Sequence, residues 1–133
     1  MMHARLFAEL PAYRAEQFTT APGDRPLLAQ FCGNDPATVL AAARHVQHAV
    51  DGVDLNLGCP QRIARRGKYG AFLMDHPETV SAIVRTLAHH LTVPVTAKMR
   101  IFDSLDQTLA FARMLEASGA SLVAVHGRTR VAK

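Results

Sequence analysis

Four short apolar runs punctuate the chain: residues 26–31 (PLLAQF), 53–57 (VDLNL), 94–98 (PVTAK) and 121–126 (SLVAVH). Each is too short for a helix and is bounded by turn-forming residues, so each predicts a buried strand. Between them the apolar positions switch to helical spacing. Asp35-Pro36 opens the first helix, a cap residue followed by a proline suited to the first helical position. Its stripe is Val39, Leu40, Ala43, Val46 and Val50, and it stops before Asp51-Gly52. The second helix begins near Pro77 and carries Val80, Ile83, Val84, Leu87 and Leu91. The third starts at Ser104, with Gln107 three residues on as the second half of a capping box. It runs through Leu109, Ala112 and Leu115 and ends at Gly119.

A strand-helix-strand rhythm implies right-handed βαβ crossovers and a parallel sheet, hence an α/β fold. An open doubly wound sheet and a closed barrel both fit. The strands read as apolar on both faces, as in a barrel wall covered on each side. In either architecture ligands gather at the C-terminal strand ends. Those ends carry Gln30-Phe31-Cys32-Gly33, Asn56-Leu57-Gly58-Cys59-Pro60, Lys98-Met99-Arg100 and His126-Gly127-Arg128-Thr129. An amide, a thiol, an ammonium, a guanidinium and an imidazole thus converge on one rim, a set suited to a flat heterocycle. A single strand-end Gln or Lys is ordinary surface; four strands doing this together is informative.

Gly58-Cys59-Pro60 is the sharpest element. The glycine allows a turn where a side chain would clash, and the proline stiffens the exit. Composition leaves two readings of Cys59 open, a reactive thiol on the rim or a small buried hydrophobe. Cys32 has no comparable framing and reads as core.

The stretch 54–74, DLNLGCPQRIARRGKYGAFLM, resembles the signature of the tRNA-dihydrouridine synthase family. Gln30 before it, Lys98-Met99-Arg100 after it and His126-Gly127-Arg128-Thr129 beyond agree in order and spacing, so the resemblance covers nearly the whole chain. The run RRGKYGAFL is similar to the eukaryotic branch acting at positions 16 and 17 of the tRNA D-loop. The resemblance implies an FMN-binding (β/α)8 barrel followed by a helical tRNA-binding domain, with NADPH reducing the flavin. Reduced flavin then gives hydride to uracil C6 and a rim cysteine protonates C5; carried over, Cys59 is that acid. Gln30, Lys98 and His126 match positions that contact FMN, and Asn56 and Arg100 match positions that hold the uracil. The uridine has to leave the stack to reach such a rim.

On this resemblance the chain is expected to be a partial barrel of about four strands. The first strand is expected upstream, the opening MMHARLFA resembles the end of the second-strand segment, and the last two strands, with the phosphate-binding loops, and the helical domain are expected downstream. Two other classes fit parts of the pattern. One is another FMN-dependent barrel oxidoreductase of the dihydroorotate-dehydrogenase kind, which lacks the NLGCP and GAFL blocks. The other is a non-catalytic α/β module that binds RNA or a protein partner.

Composition adds little. The chain has 133 residues, 49% hydrophobic, a net charge of +4 and two cysteines without a CxxC pair. Positive charge permits a polyanionic partner. The run Arg62, Arg65, Arg66 and Lys68 is either a solvated basic loop or a contact for tRNA phosphates. Seven histidines invite a metal reading, but His45/His48 and His89/His90 lack the Cys or carboxylate partners of a tetrahedral set. Hence no metal is expected. No apolar run approaches the roughly 20 residues of a membrane span and the start has no signal pattern, which suggests a cytoplasmic or nuclear setting.

Overall fold

Every strand predicted from an apolar run forms, and a fifth precedes them. The computed structural model describes residues 1–132. It runs β1 (Met2–His3), α1 (Ala4–Glu9), α2 (Pro11–Gln17), β2 (Leu28–Cys32), α3 (Pro36–Arg44) and β3 (Gly52–Leu57). Then come α4 (Arg62–Gly67), a 3-10 helix (Gly70–Asp75), α5 (Pro77–His90), β4 (Val95–Arg100), α6 (Leu105–Ala117) and β5 (Leu122–His126). The four strands read from apolar runs are joined by β1 at the opening segment, which is two residues long and shows no apolar run. All pairings are parallel, and the strands lie in the order β1-β2-β3-β4-β5. Each crossover therefore steps to the adjacent strand without reversing. This is the winding of a (β/α)8 barrel wall, and it excludes a doubly wound sheet, whose order reverses at a switch point, for these strands.

The two sheet faces differ sharply. Phe31, Val53, Leu55, Leu57, Val95, Ala97 and Met99 are buried on one face. They join Val39, Ala43, Val80, Ile83, Val84 and Leu87 from α3 and α5 in one continuous core. Each such large side chain contributes about 1.5–3 kcal/mol of transfer free energy, which holds the helices on this face. The other face is polar, contrary to the expectation of strands apolar on both sides. In register, Gln30 lies beside Asp54 and Asp54 beside Thr96. Asn56 lies beside Lys98, and Arg100 beside His126. Parallel neighbours in register share a face, so these side chains form rows across the concave side.

The helices depart from expectation in three places. α3 ends at Arg44 instead of continuing to residue 50. From there the chain tightens into i→i+3 turns, His45 N–H to Ala42 and Ala49 N–H to Val46. Val46 and Val50 are still buried, so the apolar stripe marked burial beyond the helix itself. In α6 the Ser104 hydroxyl accepts the Gln107 N–H at 3.3 Å, but the buried face is Thr108, Phe111 and Leu115, leaving Leu109 43% exposed. The basic stretch expected as a loop is helical from Arg62 to Gly67, anchored by fully buried Ala64.

Candidate active site

The C-terminal end of β3 delivers Cys59 into a backbone clamp. Asn56 Oδ1 accepts the N–H groups of Gly58 at 3.1 Å and Cys59 at 3.0 Å, closing a tight turn after the strand. The Cys59 carbonyl accepts the Ala71 N–H at 3.0 Å from the start of the 3-10 helix. Gly70 makes this approach feasible. Its φ is +63°, and a Cβ there would sit 2.7 Å from the Cys59 oxygen and 3.0 Å from the Cys59 Cβ. Cys59 is partly exposed and packs on a small cluster of Cys32, Ala64 and Tyr69. Cys32 is buried within that cluster, as the sequence suggests. Burial, and secondarily the neighbouring Cys59, push its thiol up to about 11.

The remaining rim residues fall on the same concave face. Lys98 is exposed in a strand whose other five residues are buried. Arg100 is 9% exposed, and its guanidinium ties two strand-end loops together, Nε to the Gly58 carbonyl at 2.7 Å and Nη1 to the Thr129 carbonyl at 2.9 Å. These two bonds leave donors of the five-donor fork unspent. Desolvation, followed by the positive charges of Arg100, Lys98 and Arg128, holds the His126 imidazole below its ordinary value and favours the neutral ring. Gln30 Nε2 donates to Asp54 Oδ2 at 2.7 Å, and Gln30 Oε1 accepts from Asn56 Nδ2 at 2.9 Å. The Asn56 oxygen is thus committed to the Cys59 turn, and its amide has only an N–H left to offer a ring.

Sequence reasoning missed Asp54 and Thr96. Both are buried, and the Thr96 hydroxyl donates to Asp54 Oδ1 at 2.5 Å. The period-two placement of Asp54 with Asn56, and of Thr96 with Lys98 and Arg100, is the signal that places them on the polar face. Gly70 was also missed as a site residue.

Arg62, Arg65, Arg66 and Lys68 are all exposed. The fold separates them: Arg62 and Arg66 line an open groove of about 730 Å3 with His3, Arg5, Ile63 and Tyr69, whereas Arg65 and Lys68 lie outside it. Three guanidinium groups around one groove repel one another unless an anion enters. Asn34 Nδ2 donates to the Gly67 carbonyl at 3.1 Å and helps hold the helix end. Among the described residues, no three His, Cys, Asp or Glu side chains come together as a metal-binding set.

The family model for dihydrouridine synthase matches residues 1–133. The chain belongs to the dihydrouridine synthase family. It is 48% identical to the tRNA-dihydrouridine(16/17) synthase, NAD(P)(+), of Saccharomyces cerevisiae, over 100% of this chain and 32% of that protein. It is 49% identical to the protein of the same name from Schizosaccharomyces pombe, over 100% of this chain and 34% of that protein. A human tRNA-dihydrouridine(20a/20b) synthase-like protein is 40% identical over 97% of this chain and 42% of its own length. The chain thus spans about a third of the length of its 16/17-type dihydrouridine synthase relatives.

Proposed function

We propose that this dihydrouridine synthase chain forms one sector of a catalytic barrel that reduces uridine to 5,6-dihydrouridine at positions 16 and 17 of the tRNA D-loop. The observation that carries the proposal is the held position of Cys59 at the rim of a face bearing Lys98, Arg100 and His126. The donor set suits a flavin. Lys98 is an exposed cation rising from an otherwise buried strand, and His126 beside Arg100 favours the neutral, hydrogen-bonding ring. In this reading Gln30, Lys98 and His126 hold FMN, with Lys98 offsetting negative charge on the reduced ring. Bound flavin, recharged by NADPH, supplies the hydride for uracil C6.

The chain's own residues do the rest. Cys59 gives its Sγ proton to C5, and the spent donors of Arg100 and Asn56 leave others able to reach uracil carbonyls. Arg62 and Arg66, with Arg5, take tRNA phosphates in their groove, and Arg65 and Lys68 extend the basic surface outside it.

The test is Cys59→Ala in the full-length enzyme. Flavin content and NADPH-driven flavin reduction are expected to persist, while dihydrouridine formation on unmodified tRNA falls by about 10²-fold or more, the scale of a lost general acid. Product formation at the parental rate would remove Cys59 from the proton-donor role.

A further inference from the structure

The concave face contains a hydrogen-bonded series that ends on the backbone of the thiol turn. Thr96 Oγ1 donates to Asp54 Oδ1 at 2.5 Å, and Gln30 Nε2 donates to Asp54 Oδ2 at 2.7 Å. Asn56 Nδ2 donates to Gln30 Oε1 at 2.9 Å. Gly58 and Cys59 N–H donate to Asn56 Oδ1 at 3.1 and 3.0 Å. The two ends of this series have fixed polarity: a carboxylate has only acceptors, and a backbone N–H can only donate. The two amides between them can each turn over. A carboxylate at position 54 makes Gln30 present its NH2 group, which turns the Gln30 oxygen toward Asn56. Asn56 must then answer with its NH2 group, which leaves its own oxygen for the turn.

We propose that the buried carboxylate of Asp54 is a positioning residue, setting the orientation of both amides and through them the backbone position of Cys59. Cys has a single side-chain torsion before its sulfur, so holding its backbone largely decides where the thiol can point. Asp54 is only 6% exposed, and its carboxylate connects to the Cys59 turn through Gln30 and Asn56, which places its effect on that turn in the relay. The importance of the relay for catalysis rests on the proton-donor reading of Cys59. The relay itself is tested on backbone amides, so its failure and the failure of that reading give different results.

The experiment is amide hydrogen exchange on the folded chain, comparing Gly58 and Cys59 with Leu55 in the middle of β3. Asp54→Leu keeps the branched shape but offers no acceptor to the two donors that converge there. Gly58 and Cys59 are expected to lose protection by about tenfold while Leu55 holds, since a hydrogen bond of this kind is worth about that factor. The double substitution Asp54→Asn with Gln30→Glu moves the carboxylate one step along the relay. Asn at 54 and Asn56 can then both donate to the new carboxylate, with the Thr96 hydroxyl donating to the Asn oxygen, and protection is expected to stay near the parental level. Gln30→Met breaks the relay without altering the buried carboxylate and should expose the same two amides; it decides alone if Asp54→Leu does not fold. Unchanged protection at Gly58 and Cys59 in Gln30→Met or Asp54→Leu overturns the proposal. So does an equal loss at Leu55, the mark of a merely structural role, or a double variant no better protected than Asp54→Leu.

Discussion

Gly70→Ala is the substitution through which the stability of the thiol clamp is most directly measured. At φ +63° an alanine enters the left-handed region, which costs about 1–2 kcal/mol for an L residue. Its new Cβ would also press to 2.7 Å against the Cys59 carbonyl oxygen and 3.0 Å against the Cys59 Cβ. The oxygen is backbone and already bonded to Ala71 N–H at 3.0 Å, so it cannot swing away without breaking that bond. Losing one such bond adds about 1 kcal/mol, for a total of about 2–3 kcal/mol. Gly23 provides the control: its φ is +87°, and a Cβ there meets nothing within 4 Å. Gly23→Ala therefore costs the backbone term alone, about 1–2 kcal/mol. Urea unfolding of the two variants, read as shifts in midpoint at constant slope, compares them on one scale. If Gly70→Ala is no more destabilising than Gly23→Ala, the close approach of Gly70 to Cys59 is not a real constraint on the turn.

With Cys32 pushed up to about 11, only about a thousandth of it is thiolate at pH 8. Iodoacetamide should therefore label the partly exposed Cys59 first, and peptide mapping that finds Cys32 labelled first would contradict the burial argument. His3 has its imidazole lowered below 6.5 by burial and then by Arg5. The folded state thus binds fewer protons than the unfolded one. The resulting stability is fully present above about pH 6.5 and declines as pH falls from there toward the folded-state value. His3→Phe should flatten that decline in urea midpoints measured between pH 7.5 and 5; an unchanged slope would rule His3 out as a source. Arg62→Ala with Arg66→Ala should weaken RNA binding and reduce the slope of log K against log salt by about 1.4–1.8, two phosphate contacts' worth. A slope unchanged by the double substitution would mean that the groove does not hold phosphate.

The strands and their parallel order were legible because each is a short apolar run between turn residues, and the central helices because their stripes keep a helical period. β1 showed no period, since two residues cannot display one, and only the resemblance of the opening MMHARLFA to a strand end pointed to it. The helix at Arg62–Gly67 was hidden by charge: only Ala64 is buried, so no stripe forms, and the helix is held instead by the Asn34 side chain and the left-handed Lys68 at its end. The candidate residues on the rim were visible as polar side chains at strand ends. Asp54 and Thr96 were absorbed into apolar runs, where a polar residue looks like noise until the register pairs it with Gln30. Asn56 shows the same limit from the other side. Its place in the motif was plain, but only the geometry shows that its oxygen serves the Cys59 turn.

The polar face also explains how this fold holds a partly exposed thiol at a strand end. A barrel interior filled with branched apolar side chains is rigid because it is close-packed. Here the concave side replaces that packing with directional bonds spanning β2, β3 and β4, and Arg100 carries the connection on to the loop after β5 at Thr129. β2 to β5 are thereby tied across the sheet or through the loops that follow them, so these loops are held without filling the space above them. The thiol turn receives four such ties: Asn56 on two N–H groups, Arg100 on the Gly58 carbonyl and Ala71 on the Cys59 carbonyl. The proton-donor role proposed for Cys59 asks for this arrangement, a fixed backbone beneath a sulfur left open to a ring. Under the proposed function, substitutions at Gln30 or Arg100 will for that reason combine two effects, loss of the proposed contacts to a bound ring and loosening of Cys59. Amide protection at Gly58 and Cys59 separates them, since only the second effect reaches the backbone.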